Sequence, residues 1–344
     1  MSKSKLTELI DSLRGELMSG AYPPGSRFPS EYRIAEKYNI NKTTANKAVS
    51  ALVFEGLLTR AGRGSGTFVK QLQSFPVNQF VYIGSVQHPY YASLVHGLQQ
   101  AALTHHCLLS IVAPAPDQLS YFLSKLHTTK ISGIFSCNYG YINAAPIPVL
   151  YLEEENIAQP DLNNHHYVTC DSYQGAYQIM HEVLKRHHRD IVIPFHIGCT
   201  PGRLQGFYAA MQEAGIRDVE ERTFWIYDKH SSFVGQRILQ KMLQQYPGLT
   251  AIVAASDDDI FMIIKAAEQL GIPWRGKIAM TGFGNVTGIS DMLPIATVDQ
   301  HPQLIGQEAV QAMQRIIANP KLTIQEHLNT ELVGLEYLPI LSAR

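Results

Sequence analysis

From residue 80 onward, short apolar runs alternate with stretches of helical periodicity. The first run, Phe80–Val86, is strand-like, and the pattern continues to a helix predicted over residues 302–317. Such alternation predicts parallel strands whose connecting helices cover both faces of a sheet. About 265 residues are more than one such sheet needs and suit two lobes. We therefore predict an α/β, doubly wound, two-lobed domain over residues 80–344.

Composition narrows the class of protein. The chain has 344 residues, a net charge of -1 and 45% hydrophobic residues, which is normal for a soluble globular protein. No apolar run reaches the ~18 residues of a membrane helix, and the start lacks the apolar core of a secretory signal. The four cysteines are far apart, which fits a reducing cytoplasm and argues against a disulfide scaffold or a structural zinc site. We expect a cytoplasmic protein with no membrane partner.

The near-zero net charge hides an asymmetry. Residues 1–72 hold eleven Lys/Arg and six Asp/Glu, a net charge of +5, and the remainder carries -6. We call the small basic N-terminal part the head and the larger acidic remainder the body. This charge distribution suggests that the head binds a polyanion and that the body does not.

The basic head, residues 1–70, has the pattern of three helices and a hairpin. Leucines and isoleucine recur at helical spacing over residues 5–19. Ser30 and Asn41 are suited to cap a second and a third helix. A glycine-rich stretch then separates two short strand-like runs, which predicts a hairpin. A polar segment at 71–79 is the expected linker to the body.

The third helix has a polar, basic outer face that carries Lys42, Thr43, Asn46 and Lys47. In a helix-turn-helix this helix enters the major groove, where lysines neutralise phosphates while Asn46 and Thr43 reach base edges. The hairpin is then a wing over the minor groove, with Arg63 at its tip. A nucleotide-binding glycine loop is the alternative, but it requires a helix after the glycines, and here a strand follows.

Specific residues of the head match a known pattern: Pro24–Glu31, Ala35, Asn41–Ala48, Leu52, Gly56–Leu58 and Gly64–Val69. With them the head resembles the winged-helix domain of the GntR regulator family. The family usually has Ser-Arg at positions 41–42 and Arg at 46; Asn46 suits adenine better than the guanine that an Arg would favour. The resemblance implies binding to double-stranded DNA through these candidate contacts: Arg27, Ser30, Arg33, Lys42, Thr43, Thr44, Asn46, Lys47, Arg63, Gly64, Ser65 and Gly66.

In doubly wound folds, ligands bind in the crevice at the carboxyl ends of the strands. The segments that follow the predicted strands are rich in aromatic rings, carboxylates and amides, a composition typical of sugar sites. These segments are 85–91, 137–141, 153–155, 196–203, 227–230, 256–259, 282–288 and 299–301.

The ordered short stretches 83–84, 88–91, 168–172, 203–207, 213–216, 250–257, 282–283 and 297–300 carry a second resemblance. Through them the body is similar to the LacI/GalR regulators and to the type I periplasmic sugar-binding proteins, from about residue 79 to 340. A GntR head on a LacI-type body resembles the arabinose-repressor subfamily.

This resemblance implies a small sugar-like effector in the cleft between the lobes. Tyr90 and Tyr91 match an aromatic pair that stacks on a sugar ring. Arg203 matches an arginine whose guanidinium donates hydrogen bonds to two sugar oxygens. At Gly284-Asn285 the family usually has two aspartates, so either Asp257 or Asn285 compensates or the ligand is not a standard monosaccharide. The candidate effector contacts are His88, Tyr90, Tyr91, Glu153, Arg203, His230, Ser256, Asp257, Asn285 and Gln300.

No metal ion and no cofactor are predicted. The acidic run 257–259 resembles a metal site, but a helix N-terminus attracts carboxylates without a metal, and we expect no His or Cys to complete the set. The glycine run 282–288 resembles a dinucleotide fingerprint, but no clear helix opens after it. Asp171 is expected to cap a helix over 173–187.

We therefore predict a DNA-binding transcriptional regulator, most simply a repressor, that acts as a homodimer and senses a sugar-like effector. One winged helix makes few phosphate contacts, which implies two heads. The alternatives are a regulator that senses a nucleobase, an amino acid or a protein partner, and an α/β enzyme fused to a DNA-binding head. Glu153 and Asp257 could form the carboxylate pair of such an enzyme, but no Gly-x-Ser-x-Gly or Walker motif is present.

Overall fold

The computed structural model describes residues 5–19, 21–62, 66–70, 79–126, 130–140, 142, 145–153, 165–227 and 233–342. The chain divides into two compact units, Met1–Val77 and Asn78–Arg344. Most of the predicted linker at 71–79 lies outside the described residues. Among the residues described, no helix is both long and apolar enough to cross a membrane.

The described residues of the N-terminal unit form three helices and a two-stranded hairpin. The elements are α1 (Lys5–Met18), α2 (Glu31–Lys37), α3 (Lys42–Phe54), β1 (Leu58–Arg60) and β2 (Thr67–Val69). Strands β1 and β2 pair antiparallel, with Leu58 opposite Val69. Leucines of α1 and the apolar face of α3 meet in one core around Phe28. The hairpin, which we call the wing, is the one predicted from the glycine-rich stretch.

Side-chain caps explain where α2 and α3 begin. Ser30 Oγ accepts a hydrogen bond from the backbone N–H of Arg33, and Asn41 Oδ1 accepts one from the N–H of Thr44 at 2.7 Å. Both caps satisfy amides that have no partner within the helix. The predicted caps at Ser30 and Asn41 are confirmed.

The first lobe of the second unit is built on a six-stranded parallel sheet. Its strand order is β13-β7-β6-β5-β3-β4, and α4, α5 and α10 belong to this lobe. The elements are β3 (Gln79–Ile83), α4 (Pro89–Thr104), β4 (Leu108–Val112), α5 (Pro116–Lys125), β5 (Ile131–Ser136), β6 (Val149–Tyr151), β7 (His166–Cys170), α10 (Pro302–Ala318) and β13 (Gln325–Leu328). Apolar residues of the sheet pack against α4 and α10 in the main core of this lobe.

The second lobe has a four-stranded parallel sheet of order β11-β10-β8-β9. Its elements are α6 (Ser172–Lys185), β8 (Ile191–His196), α7 (Pro201–Glu213), β9 (Thr223–Ile226), α8 (Val234–Gln245), β10 (Ala251–Val253), α9 (Asp257–Gln269) and β11 (Ala279–Thr281). Two cores, one on each face of this sheet, hold the helices in place. The predicted two-lobed α/β fold with helices on both faces is confirmed.

Three segments within the described residues connect the lobes. The first follows β7, the second joins β12 (Thr297–Asp299) to α10, and the third joins β13 to β14 (Glu331–Val333), which a short 3-10 turn follows at Leu335–Tyr337. Strands β12 and β14 pair antiparallel beside these connections. Asp171 at the first connection caps α6 through the N–H of Gln174, as predicted. This arrangement leaves a cleft bordered by the connecting segments and by the carboxyl ends of strands from both lobes.

Strands β13 and β14 were not predicted from the sequence. Strand β13 reads Gln-Glu-His-Leu and alternates between exposed and half-buried positions at the edge of the large sheet. Its backbone pairing with β7 holds it there, and an edge strand that is half solvated carries little hydrophobic signal.

Candidate functional site

The exposed face of α3 is the candidate DNA-binding surface. Lys42, Thr43, Asn46 and Lys47 are all exposed, while the opposite face of the helix is fully buried. The Lys42 ammonium lies 3.9 Å from the centroid of the Tyr32 ring. This cation–π contact restrains Lys42 at the start of the helix.

A hydrogen-bonded group joins α3 to the wing. Arg60 of β1 donates from Nη2 to Asn46 Oδ1 at 3.2 Å and to Ser50 Oγ at 2.9 Å. Ser50 also donates to Asn46 Oδ1. The Asn46 oxygen is therefore engaged within the head, and Arg60 adds a positive charge beside it that the sequence analysis did not single out.

The remaining DNA-contact candidates lie around this face. Arg27 and Arg33 are exposed, Ser30 caps α2, and the Thr44 hydroxyl donates to Asn41. Gly66 has φ +95°, and a Cβ there would lie 2.8 Å from Arg27 Nε, so the glycine lets Arg27 lie against the base of the wing. Arg63, Gly64 and Ser65, predicted at the tip of the wing, lie outside the described residues.

The Glu16 side chain connects α1 to the end of α2 through hydrogen bonds. Its carboxylate accepts hydrogen bonds from the Tyr22 and Tyr38 hydroxyls and from the Lys37 ammonium. Partial burial raises the pKa of Glu16, but the hydrogen bonds and the charge of Lys37 outweigh it and lower the pKa overall.

The second unit contains a cavity of about 260 Å³ in the cleft between its lobes. Almost all of the residues that line this cavity come from segments just after strand ends, which is where ligands bind in doubly wound folds. Seven of the ten effector-contact candidates line it: His88, Tyr90, Tyr91, Glu153, Arg203, Ser256 and Gln300.

Arg203 is held in a fixed orientation on the second-lobe side of the cavity. Its Nη1 donates to the carbonyl of Ala255 at 2.7 Å, and its Nη2 donates to Gln300 Oε1 at 2.8 Å. The guanidinium carbon lies 4.0 Å from the centroid of the Phe283 ring. Its Nε is buried and has no hydrogen-bond partner. A buried donor without a partner costs about 1–3 kcal/mol.

The first-lobe side of the cavity is aromatic. Tyr90 and Tyr91 meet edge to face with ring centroids 5.3 Å apart, and the Tyr91 hydroxyl accepts from the Asn138 amide. Asn138 also donates its backbone N–H to the Glu153 carboxylate. Burial raises the pKa of Tyr90 well above its usual value, so its hydroxyl stays protonated and can donate.

Asp257 and Asn285 do not line the cavity. Asp257 is fully buried, and its carboxylate accepts from the Thr297 hydroxyl at 2.6 Å and from the Val286 N–H at 2.7 Å. Burial raises the pKa of this carboxyl group. The Asn285 amide donates to the Asp299 carboxylate at 2.8 Å. Both groups are thus used to fix the loop after β11. His230 lies outside the described residues.

His196, Cys199 and Asp259 form a cluster that sequence reasoning missed. The expectation that no His or Cys completes the acidic run was wrong, because the fold brings the loop after β8 against the start of α9. His196 Nδ1 lies 2.7 Å from Asp259 Oδ2. Burial lowers the pKa of His196, but the hydrogen bonds and charges of Asp259 and Cys199 outweigh it and raise the pKa to about 9. His196 and Cys199 both line the cavity.

Thr169, Cys170 and Ser172 also line the cavity and were not proposed as effector contacts. The Cys170 thiol donates to Gln300 Oε1 at 3.4 Å. Their position at or just beyond the carboxyl end of β7 was the available signal, because ligands bind at the carboxyl ends of parallel strands.

Each of the two units matches a different known protein family. Residues 6–69 match the family described as bacterial regulatory proteins, gntR family. Residues 79–331 match the family of periplasmic binding proteins and sugar binding domain of LacI family.

Curated relatives match along almost their whole length. The chain is 25% identical to the HTH-type transcriptional repressor PurR of Proteus mirabilis, over 86% of this chain and 93% of that protein. It is 23% identical to the arabinose metabolism transcriptional repressor of Geobacillus stearothermophilus, over 93% and 96%.

Solved structures share the fold. A LacI family regulator from Enterococcus faecium with bound ribose covers 77% of this chain at 16% identity, with all of that chain matched and a TM-score of 0.64. The regulator CelR in complex with cellobiose covers 96% of this chain and 98% of its own at 16% identity, with a TM-score of 0.65. The chain therefore belongs to the family of periplasmic binding proteins and LacI-type sugar-binding domains, and it carries a gntR-family domain at its N-terminal end.

Proposed function

We propose that the protein is a DNA-binding transcriptional repressor whose affinity for its operator is controlled by a small effector in the cleft. The observation that carries this proposal is Arg203, which lines the cavity between the two lobes and is fixed there by Ala255 and Gln300. The relatives named as repressors support the regulatory role.

In this proposal α3 enters the major groove of an operator and the wing follows the adjacent minor groove. Lys42 and Lys47 neutralise phosphates, and the Asn46 amide, held by Arg60, contacts a base edge. Two heads in a homodimer supply enough contacts for tight binding to paired half-sites.

The effector we propose is a sugar derivative. The Tyr90–Tyr91 pair offers apolar ring faces, while Arg203, Glu153 and Gln300 offer charged and amide groups for hydroxyls. Solved relatives with ribose and with cellobiose support a sugar. Because Asp257 and Asn285 are engaged in the loop after β11, neither of them replaces the carboxylate that is common at this position in the family. That absence favours a modified sugar over a standard monosaccharide.

The effector acts by favouring the closed arrangement of the lobes. It shifts the equilibrium only by the difference between its affinities for the closed and open states. Closure changes the dimer and with it the spacing of the two heads, so the effector alters operator binding. No catalytic turnover is part of this proposal, and the protein acts in the cytoplasm.

A thermal-shift screen of the full chain tests the ligand class. The panel contains pentoses, hexoses, sugar phosphates, uronic acids, purines and amino acids. A ligand present at about 100 times its Kd stabilises the domain that binds it by about 2.7 kcal/mol, which is readily detected. A sugar derivative that stabilises the wild type and not Arg203→Ala supports the proposal. Stabilisation by a purine or an amino acid alone contradicts the sugar assignment but keeps the cleft.

Operator binding is tested separately by selection from random duplex DNA, followed by affinity measurement. The same selection on a chain with both Lys42→Ala and Lys47→Ala is the control. Failure of the wild type to enrich any sequence contradicts the DNA-binding role.

A further inference from the structure

The second-lobe wall of the cavity brings three kinds of metal-ligating side chain together. His196 Nδ1 lies 2.7 Å from Asp259 Oδ2 and 3.4 Å from Cys199 Sγ. One donor atom from each of the three residues lies within 4.8 Å of the other two. We infer that His196, Cys199 and Asp259 bind a divalent transition-metal ion of the zinc class, with one coordination position open to the cavity.

The local fold explains why these residues meet. His196 ends β8, and the turn that follows places Gly198 at φ +96°, a conformation suited to glycine. The Cys199 N–H donates to the His196 carbonyl at 3.1 Å. This backbone turn places the Cys199 thiol beside the His196 imidazole. Asp259 lies in the first turn of α9, where the Ser256 hydroxyl accepts from its N–H.

The two distances from His196 Nδ1 fit a tetrahedral ion after a small adjustment. Zn–N and Zn–S bonds of about 2.0–2.1 and 2.3 Å place the nitrogen and sulfur about 3.5 Å apart, close to the distance observed between His196 and Cys199. A nitrogen and a carboxylate oxygen on the same ion are about 3.3 Å apart. The hydrogen-bonded pair of His196 and Asp259 therefore separates by about 0.6 Å when an ion replaces the proton between them.

The donor set selects the class of ion. An imidazole and a thiolate favour Zn²⁺ and its neighbours in the transition series, whereas Mg²⁺ and Ca²⁺ prefer oxygen ligands. Asp259 is buried, while His196 and Cys199 line the cavity. Three protein ligands and one open position is the arrangement of zinc sites that bind an exogenous oxygen. The ion would present a Lewis acid to whatever occupies the cleft.

The test uses untagged full-length protein from which metals have been removed with a chelator. Titration with Co²⁺ should produce a thiolate-to-cobalt charge-transfer band that saturates at one ion per chain and disappears when Zn²⁺ is added. Cys199→Ser should abolish the band and weaken Zn²⁺ binding by more than about 100-fold, because loss of a supporting partner alone costs 10–100-fold.

Cys137→Ser is the matched control, because Cys137 is a buried cysteine that lines the same cavity but is outside the cluster. It should keep the band. Circular dichroism confirms that both variants are folded. Azide added to the Co²⁺ protein should shift the visible bands if a position is open to the cavity, and unchanged bands contradict that open position.

Absence of the band in the wild type overturns the inference, and so does a band that persists in Cys199→Ser. Either result means that the cluster is a hydrogen-bonded His–Asp pair beside a thiol. These outcomes are independent of the proposed effector, since the assay contains neither DNA nor a sugar.

Discussion

The imidazole of His88 in the first lobe meets the carboxylate of Asp258 in the second, with 3.0 Å between Nε2 and Oδ2. His88 also caps α4 by accepting from the Tyr90 N–H, so the contact is anchored on one side by a helix start. Both residues line the cavity. The pair therefore joins the two walls of the cleft.

His88→Ala removes this contact and should weaken effector binding. Partly exposed pairs of this kind contribute about 0.2–1 kcal/mol, so we expect an affinity loss of about 1.5–5-fold by calorimetry. His96→Ala, an exposed histidine on the same helix, is the control and should bind as the wild type does. Equal affinities in all three proteins would contradict a role for the contact in closure.

Lys47→Ala should lower DNA affinity about equally for all sequences. Each lost phosphate contact reduces the slope of log affinity against log salt by about 0.9, and a dimer loses two. Lys265→Ala, an exposed lysine on α9, should leave the slope unchanged. A Lys47→Ala chain with the wild-type slope would place this lysine away from the phosphates.

The N-terminal unit should lose stability in acid through Glu16. Its folded-state pKa lies below the unfolded value of about 4.5, so ionised Glu16 stabilises the unit above that pH. The stabilisation is lost as the pH falls through the lower folded-state pKa. Hydrogen exchange of α1 and α2 amides, corrected for the intrinsic pH dependence, should accelerate over this range.

Glu16→Gln is the companion variant for that pH series. It should exchange faster than the wild type at neutral pH and show a weaker change on acidification. A variant with the same acid response as the wild type would assign the effect to another carboxyl group.

Helices α4 and α10 touch through backbone at Gly97. A Cβ there would lie 2.0 Å from the Gln303 carbonyl oxygen. Gly97→Ala should therefore destabilise the second unit by about 1–3 kcal/mol in urea unfolding. Gly15→Ala in α1 meets nothing within 4 Å and should stabilise the head by about 0.5–1 kcal/mol. A Gly97→Ala chain as stable as the wild type would mean that the helices separate at little cost.

The two-lobed fold could be predicted from the sequence because the signals of its strands and helices are local. Buried parallel strands appear as apolar runs, and helices appear as 3.6-residue periods between them. The general position of the cleft followed from topology, since strand ends meet at one edge of each sheet.

Side-chain direction within those segments was not predictable. Ser256 and Asp257 are adjacent, yet Ser256 lines the cavity while Asp257 is directed to Thr297 and Val286. A strand-to-helix turn has no fixed period from which to derive which residue faces the ligand. The grouping of His196 with Asp259 depended on tertiary packing between distant segments, so no local pattern revealed it.

Control of DNA binding through the cleft is tested most directly by titrating the identified effector while operator affinity is measured by fluorescence anisotropy. The measurement is made on the wild type and on Arg203→Ala. Arg275→Ala, an exposed arginine paired with Glu268 in the same lobe, is the control. We predict that the effector changes operator affinity in the wild type and in Arg275→Ala. Arg203→Ala should bind the operator with wild-type affinity and show no change with effector. A full effector response in Arg203→Ala would contradict control of DNA binding through this cleft.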